Sequence, residues 1–152
     1  MPTVVMASSK GGAGKTTAAI TLASELSRQG EEKDVKVALI DADPNKHGAK
    51  WAKKSGCPGN LNVYESDEET IIDDIEKAED ENAFVIVDLE GTASIAVANA
   101  VSRADLVIIP CQGSQDDADE AVKTIKLLRQ QSKAFRRKIA YSVLFTRTSA
   151  AI

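Results

Sequence analysis

The stretch Lys10-Gly11-Gly12-Ala13-Gly14-Lys15-Thr16-Thr17 constrains the fold most tightly. It joins an apolar β-type run, Val4-Val5-Met6-Ala7, directly to a helical pattern with Ile20, Leu22, Ala23 and Leu26 at helical spacing. Its glycines allow φ > 0 and a close approach of backbone to a ligand. Strand, glycine turn and helix N-terminus in immediate succession aim consecutive N–H groups and the positive end of a helix dipole at one point, which is what phosphate oxygens require. Lys15 adds a cation for the terminal phosphates, and Thr16 a hydroxyl that can ligate Mg²⁺. The strict G-x-x-x-x-G-K-[ST] spacing fails at one position, Ser9, where its first glycine would stand.

Further apolar runs follow at Val37-Ala38-Leu39-Ile40, Phe84-Val85-Ile86-Val87, Leu106-Val107-Ile108-Ile109 and Ser142-Val143-Leu144-Phe145. Runs apolar on both faces suit parallel strands covered by helices. Between them Gly30 ends the first helix, and Ser66-Asp67-Glu68-Glu69 has capping-box spacing ahead of Ile71, Ile72 and Ile75. A long amphipathic pattern carries Ala121, Val122, Ile125 and Leu128, with positions 122, 125 and 128 expected on the sheet side. Repeated β-α-β order with right-handed crossovers predicts an α/β fold, a doubly wound, mostly parallel sheet with helices on both faces and ligands at the carboxyl ends of the strands. At 152 residues, the chain is expected to form one domain over positions 1–152. No run of about 18 apolar residues and no leader pattern stands in it, so a soluble cytoplasmic protein is the expectation. Cys57 and Cys111 lack the spacing of a disulfide framework or metal site and read as reduced thiols.

The loop from Lys10 to Thr17 resembles the deviant Walker A motif, K-G-G-x-G-K-[ST]-[ST], of the ParA/MinD family of P-loop ATPases, in which the position of Ser9 tolerates residues other than glycine. Asp41-Ala42-Asp43-Pro44 looks like the family's D-x-D-P switch I, and Asp88 stands where the family keeps its Walker B aspartate. Small plasmid-partition ParA proteins without an N-terminal helix-turn-helix domain are the most similar subgroup. The resemblance implies a P-loop NTPase domain and a Mg-dependent ATPase that hydrolyses ATP to ADP and phosphate. ATP would be held by Lys10, Gly11, Gly12, Ala13, Gly14, Lys15, Thr16 and Thr17. Lys10 would reach the nucleotide of a dimer partner, Lys15 would neutralise phosphate charge and Asp43 would position water. Thr16, Asp41 and Asp88 would serve Mg²⁺. The implied partners are a second copy in an ATP-dependent homodimer, non-specific DNA and a centromere-binding partition protein, with no membrane; the ATP-bound form would be nucleoid-associated. A MinD-like membrane-cycling ATPase and a P-loop metabolic ligase are the alternatives.

The family commonly reads D-x-x-P or D-x-P-P after the Walker B aspartate, whereas here Asp88-Leu89-Glu90-Gly91 brings in an acid. Glu90 reads as a solvent-facing switch residue, with a second acid near the attacking water as the other reading. Family members continue for roughly another 50 residues or more, in βα units. The chain is therefore expected to lack a C-terminal part, leaving a sheet edge uncovered. His47 reads as a surface side chain and Trp51 as a helix-packing residue.

Charge is unevenly spread: residues 121–152 hold 8 of the 19 basic side chains and none of the 23 acidic ones. Lys126, Arg129 and Lys133 recur at three- and four-residue steps, with Arg136, Arg137 and Lys138 at the end. Such a stripe is either a solvated helix face or a contact for a phosphate backbone, and Lys133, Arg136, Arg137 and Lys138 are the candidate DNA contacts.

Overall fold

The computed structural model of the chain describes residues 1–8, 12–54, 56–91 and 94–148. In chain order the strands are β1 (Thr3–Met6), β2 (Val37–Ala42), β3 (Leu61–Glu65), β4 (Phe84–Leu89), β5 (Leu106–Cys111) and β6 (Tyr141–Phe145). The helices are α1 (Lys15–Gly30), α2 (His47–Lys54), α3 (Ile71–Glu81), α4 (Ile95–Arg103) and α5 (Gln115–Ala134). The strands form one sheet in the order β3-β2-β4-β1-β5-β6, with every neighbouring pair parallel. β1 thus sits centrally, and the loop leaving its carboxyl end opens at the middle of the sheet, where doubly wound folds bind ligands.

Alternation along each strand divides the core between the two faces. Val5, Ile40, Val85 and Val87 pack with α3, α4 and α5, whereas Met6, Leu39 and Ile86 pack with α1 and with Trp51 of α2. Each of these strand side chains is at most 1% exposed. Full burial of one such side chain contributes about 1.5–3 kcal/mol, so both faces of the central strands stabilise the site above them.

Three sequence expectations need correction. Leu61–Glu65 forms a sixth strand that the apolar runs do not announce. It is an edge strand, paired only with β2, and its half-buried pattern, broken by Asn62, suits an element covered on one side. Second, no capping box forms at Ser66. The Ser66 backbone N–H donates to the carbonyl of Asp41 and its hydroxyl to Asp74, which hold it at the sheet end. Asp67 instead accepts from the N–H groups of Glu69 and Thr70. Third, the buried stripe of α5 is Asp117, Ala121, Thr124 and Leu128, whereas Val122 is 48% exposed. Gly30 ends α1 as expected, and a Cβ there would meet Val35 at 2.6 Å. The strand β6 ends the sheet on the side opposite β3, and its Leu144 and Phe145 are exposed.

The helix α5 starts after the carboxyl end of β5 and runs back for 20 residues, about 30 Å, toward the amino ends of the strands. Its basic end therefore lies at the opposite edge of the molecule from the glycine loop. There Arg137 donates to the carbonyls of Val101, Ser102 and Ala104, three acceptors at the C-terminus of α4. A cation at that negative helix end is favourable. Arg137→Ala is expected to cost about 1–2 kcal/mol and to lower the melting temperature by about 3–6 °C. A melt unchanged within 1 °C or so would remove this structural role.

Candidate nucleotide site

The glycine loop is anchored by its carbonyl oxygens. The N–H of Ala7 donates to Ile108 at 3.0 Å. Gln112 Nε2 donates to the Gly12 carbonyl at 2.7 Å, and Thr146 Oγ1 to the Ala13 carbonyl at 3.0 Å. In trans peptides N–H and C=O point oppositely, so the N–H groups of Ala13 and Gly14 are turned away from those partners. Gly12 and Gly14 have φ of 80° and 90°, the left-handed region that a Cβ disfavours. Gly14 sits at the N-cap of α1, and its carbonyl starts the helix by accepting from Ala18. Lys10 and Gly11 lie outside the described residues.

Three acidic side chains from two strand ends converge on Lys15. Lys15 is 8% exposed; burial lowers its pKa, while Asp88, Glu90 and Asp43 work in the raising direction. Asp88 follows the apolar run of β4 and is 2% exposed. Among the described residues, no donor meets either of its carboxylate oxygens at hydrogen-bond geometry. Burial pushes its pKa up to about 6, with Asp41 and Asp43 adding to the rise, while the Thr16 hydroxyl, outside that geometry, and Lys15 oppose it. A buried acid with two unbonded oxygens beside a threonine hydroxyl fits a hydrated divalent cation.

Asp41 and Asp43 shape the loop after β2. Asp41 is fully buried, accepting from the N–H of Asp43 at 3.1 Å and of Ala49 at 2.8 Å, so it organises the loop whatever else it holds. Asp43 takes the N–H of Asn45 on Oδ1 at 2.8 Å and has His47 Nδ1 at 3.3 Å from Oδ2. Gly12, Lys15, Thr16, Asp43, His47, Glu90 and Arg147 border one open cavity of about 280 Å³. Of the residues expected at the site, Gly12, Gly14, Lys15, Thr16, Thr17 and Asp43 line this cavity, whereas Ala13, Asp41 and Asp88 are buried and do not line it. Glu90 is exposed, on its rim.

Sequence reasoning missed Asn45, His47, Gln112, Thr146 and Arg147. Gln112 and the pair Thr146-Arg147 follow β5 and β6 at their carboxyl ends, and the rule that ligands gather there could have found them. The candidate DNA residues are elsewhere: Lys133, Arg136 and Lys138 are exposed at the far end of α5, and Arg137 is engaged with α4. Among the described residues, no helix is long and apolar enough to cross a membrane.

The VirC1 protein family matches residues 1–151. Protein ParA of Rhizobium radiobacter is 42% identical over all of this chain and 67% of its own length. Protein virC1 of the same organism is 32% identical over 83% of this chain and 55% of its own length. The chain thus spans about two thirds or less of these relatives. Among solved structures, apo McdA of Cyanothece superposes with a TM-score of 0.79 at 19% identity, over 95% of this chain and 71% of that one. A likeness at that identity speaks for the fold, while the sequence match speaks for descent. The chain belongs to the VirC1/ParA family.

Proposed function

We propose that this protein is an ATP-hydrolysing dimerisation switch for the partition of plasmid or other DNA. In this reading ATP closes a homodimer, the dimer binds duplex DNA without sequence preference, and a centromere-binding partition protein stimulates hydrolysis and release. The protein works in the cytoplasm, on the nucleoid when ATP-bound. The observation that carries the reading is the convergence of the buried Lys15, the unbonded carboxylate of Asp88 and the sheltered Asp43 on the glycine loop. Kinship with a protein named ParA supports partition as the task.

Each residue then has a role. The backbone of Gly12 to Thr17 and the α1 N-terminus hold the phosphates, and Lys15 neutralises them. Thr16 and Asp88, with Asp41 behind them, would hold Mg²⁺, which when bound draws charge from the phosphate oxygens. Asp43 orients the attacking water, and Lys10 contributes a cation to the partner's nucleotide. Asp43→Ala is expected to bind ATP within about threefold of wild type yet to lose hydrolysis by about 100-fold, because water positioning acts in the transition state and not in the ground state. Steady-state phosphate release together with calorimetric titration checks it, and undiminished release removes Asp43 from that role.

Lys133, Arg136 and Lys138 form the proposed DNA contact, some 30 Å from the nucleotide by the length of α5. Since Arg137 also braces α4, its charge reversal would confuse binding with stability. Reversal of Lys133, Arg136 and Lys138 together is expected to weaken ATP-dependent duplex binding and to reduce the salt slope by about 0.9 for each phosphate no longer neutralised. Unchanged affinity and slope would make this end of α5 a solvated surface.

A further inference from the structure

Two groups stand against the Asp43 carboxylate. The backbone N–H of Asn45 occupies Oδ1, and His47 Nδ1 stands 3.3 Å from Oδ2. The Asp43 side chain is 12% exposed and that of His47 59%, so the acid is sheltered while the imidazole meets solvent at the cavity mouth. The turn that carries His47 over Asp43 is itself pinned. Lys46 takes a left-handed φ of 50°, its N–H donates to the Asp43 carbonyl at 2.9 Å, and its ammonium donates to the carbonyls of Asp41 and Ser66. His47 then opens α2, whose next residues are packed onto Asp41 through the N–H of Ala49. This arrangement sets the imidazole against the Asp43 carboxylate.

We propose that His47 is a positioning residue for Asp43 and makes its availability depend on pH: the imidazolium pairs with Oδ2 and withdraws it from water, whereas the neutral ring leaves Oδ2 able to accept a water proton. The proposal rests on the reading of Asp43 as the acid that orients the attacking water. The charged groups around the same cavity are Lys15 from α1, Asp43 from the ring's own loop, Glu90 after β4 and Arg147 after β6. A carboxylate already bound to a cation is a weaker proton acceptor, so turnover climbs as the ring loses its proton.

His47 is the chain's single histidine, which makes a direct measurement possible. The imidazole Hε1 resonance of the whole chain is followed by NMR from about pH 5 to about pH 8.5, in wild type and in Asp43→Asn. The ring's titration curve is expected to differ between the two proteins, because Asp43→Asn removes the charge beside it. An unchanged midpoint overturns the pairing.

Single-turnover phosphate release over the same range then reads the consequence. Wild type is expected to speed up through the ring's titration. His47→Gln, which keeps a donor for Oδ2 but cannot titrate, loses that acid limb. His47→Ala, which leaves Oδ2 open at every pH, is expected to lose the acid limb as well, with ATP affinity within about twofold and a rate at pH 8 no lower than that of His47→Gln. A His47→Gln profile superimposable on wild type overturns the proposal. Asp43→Ala in the same series separates the two levels. Full turnover in Asp43→Ala removes the reading beneath the proposal. Lost turnover in Asp43→Ala beside a wild-type profile in His47→Gln removes only the role of His47.

Discussion

Lys15→Ala is expected to weaken Mg-ATP binding by about 100-fold or more in calorimetric titration. A charge-assisted contact to an anion contributes about 1.5–3 kcal/mol, and every 1.4 kcal/mol is tenfold in affinity. Lys15 stands at the upper end of that range because its ammonium is already removed from water, at 8% exposure, and faces a cavity whose other nearby charges include Asp43 and Glu90. Without the lysine, a polyphosphate would face the like charge of those acids with less to offset it. Thr16→Ala is expected to show a loss that depends on Mg²⁺ and largely vanishes when the nucleotide is titrated without it. ATP affinity within threefold of wild type in Lys15→Ala, in a protein whose circular dichroism is unchanged, would sink the assignment of the glycine loop as the nucleotide site.

The second large effect has opposite signs for stability and activity. Asp88→Asn is expected to stabilise the nucleotide-free protein by about 2–3 kcal/mol at neutral pH, raising the melting temperature by about 5–10 °C, while Mg-dependent hydrolysis falls by about 100-fold. Burial and the neighbouring Asp41 and Asp43 lift the Asp88 pKa in the folded state to about 6, above its ordinary value near 4. The folded protein therefore binds more protons than the unfolded chain between those two values, and stability falls as pH rises from about 4 to about 6. Asparagine has no charge to desolvate and escapes that loss. The two proteins should melt alike near pH 4 and diverge through this window, with the full gap at pH 7. Differential scanning calorimetry decides the matter. A variant no more stable than wild type at pH 7 would mean that the buried carboxylate finds compensation in the folded protein. The destabilised acid is the counterpart of its task, because a carboxylate that no protein donor satisfies is left for a hydrated cation.

Much of this site was legible before folding because its parts are local. A strand, a glycine turn, a lysine and a helix start are consecutive in sequence, and Asp41, Asp43 and Asp88 each announce themselves by following an apolar run. Parallel strands bring their carboxyl ends to one side of the sheet, so motifs far apart in the chain gather there without further instruction. Gln112, Thr146 and Arg147 carry no such marker. Their part appears only when β5 and β6 align beside β1, and Gln112 and Thr146 then bind the loop carbonyls of Gly12 and Ala13 across more than 90 residues of chain.

The basic segment shows a different limit. Helical spacing places Lys126, Arg129 and Lys133 near one another, and composition alone shows that no acid offsets them. Spacing cannot say which cation is spoken for. Arg137 reaches back to the end of α4, and Arg129 to the hydroxyl of Tyr141 at 3.4 Å, contacts set by how α4, α5 and β6 pack. The same holds for the phase of α5. Val122 fits an apolar stripe on paper, yet the helix is rotated so that Ala121, Thr124 and Leu128 are buried and Val122 faces solvent.

The sequence by itself determined the fold class, the order of its main strands and helices and the chemistry of the phosphate loop, since these follow from apolar periodicity and from residues adjacent in the chain. Only the tertiary structure decided the rest. It paired Leu61–Glu65 as an edge strand, turned Ser66 away from capping, left both oxygens of Asp88 without a donor, and folded His47 onto Asp43. Each of those outcomes depends on desolvation and on which group another element brings within reach, and neither quantity exists along an extended chain.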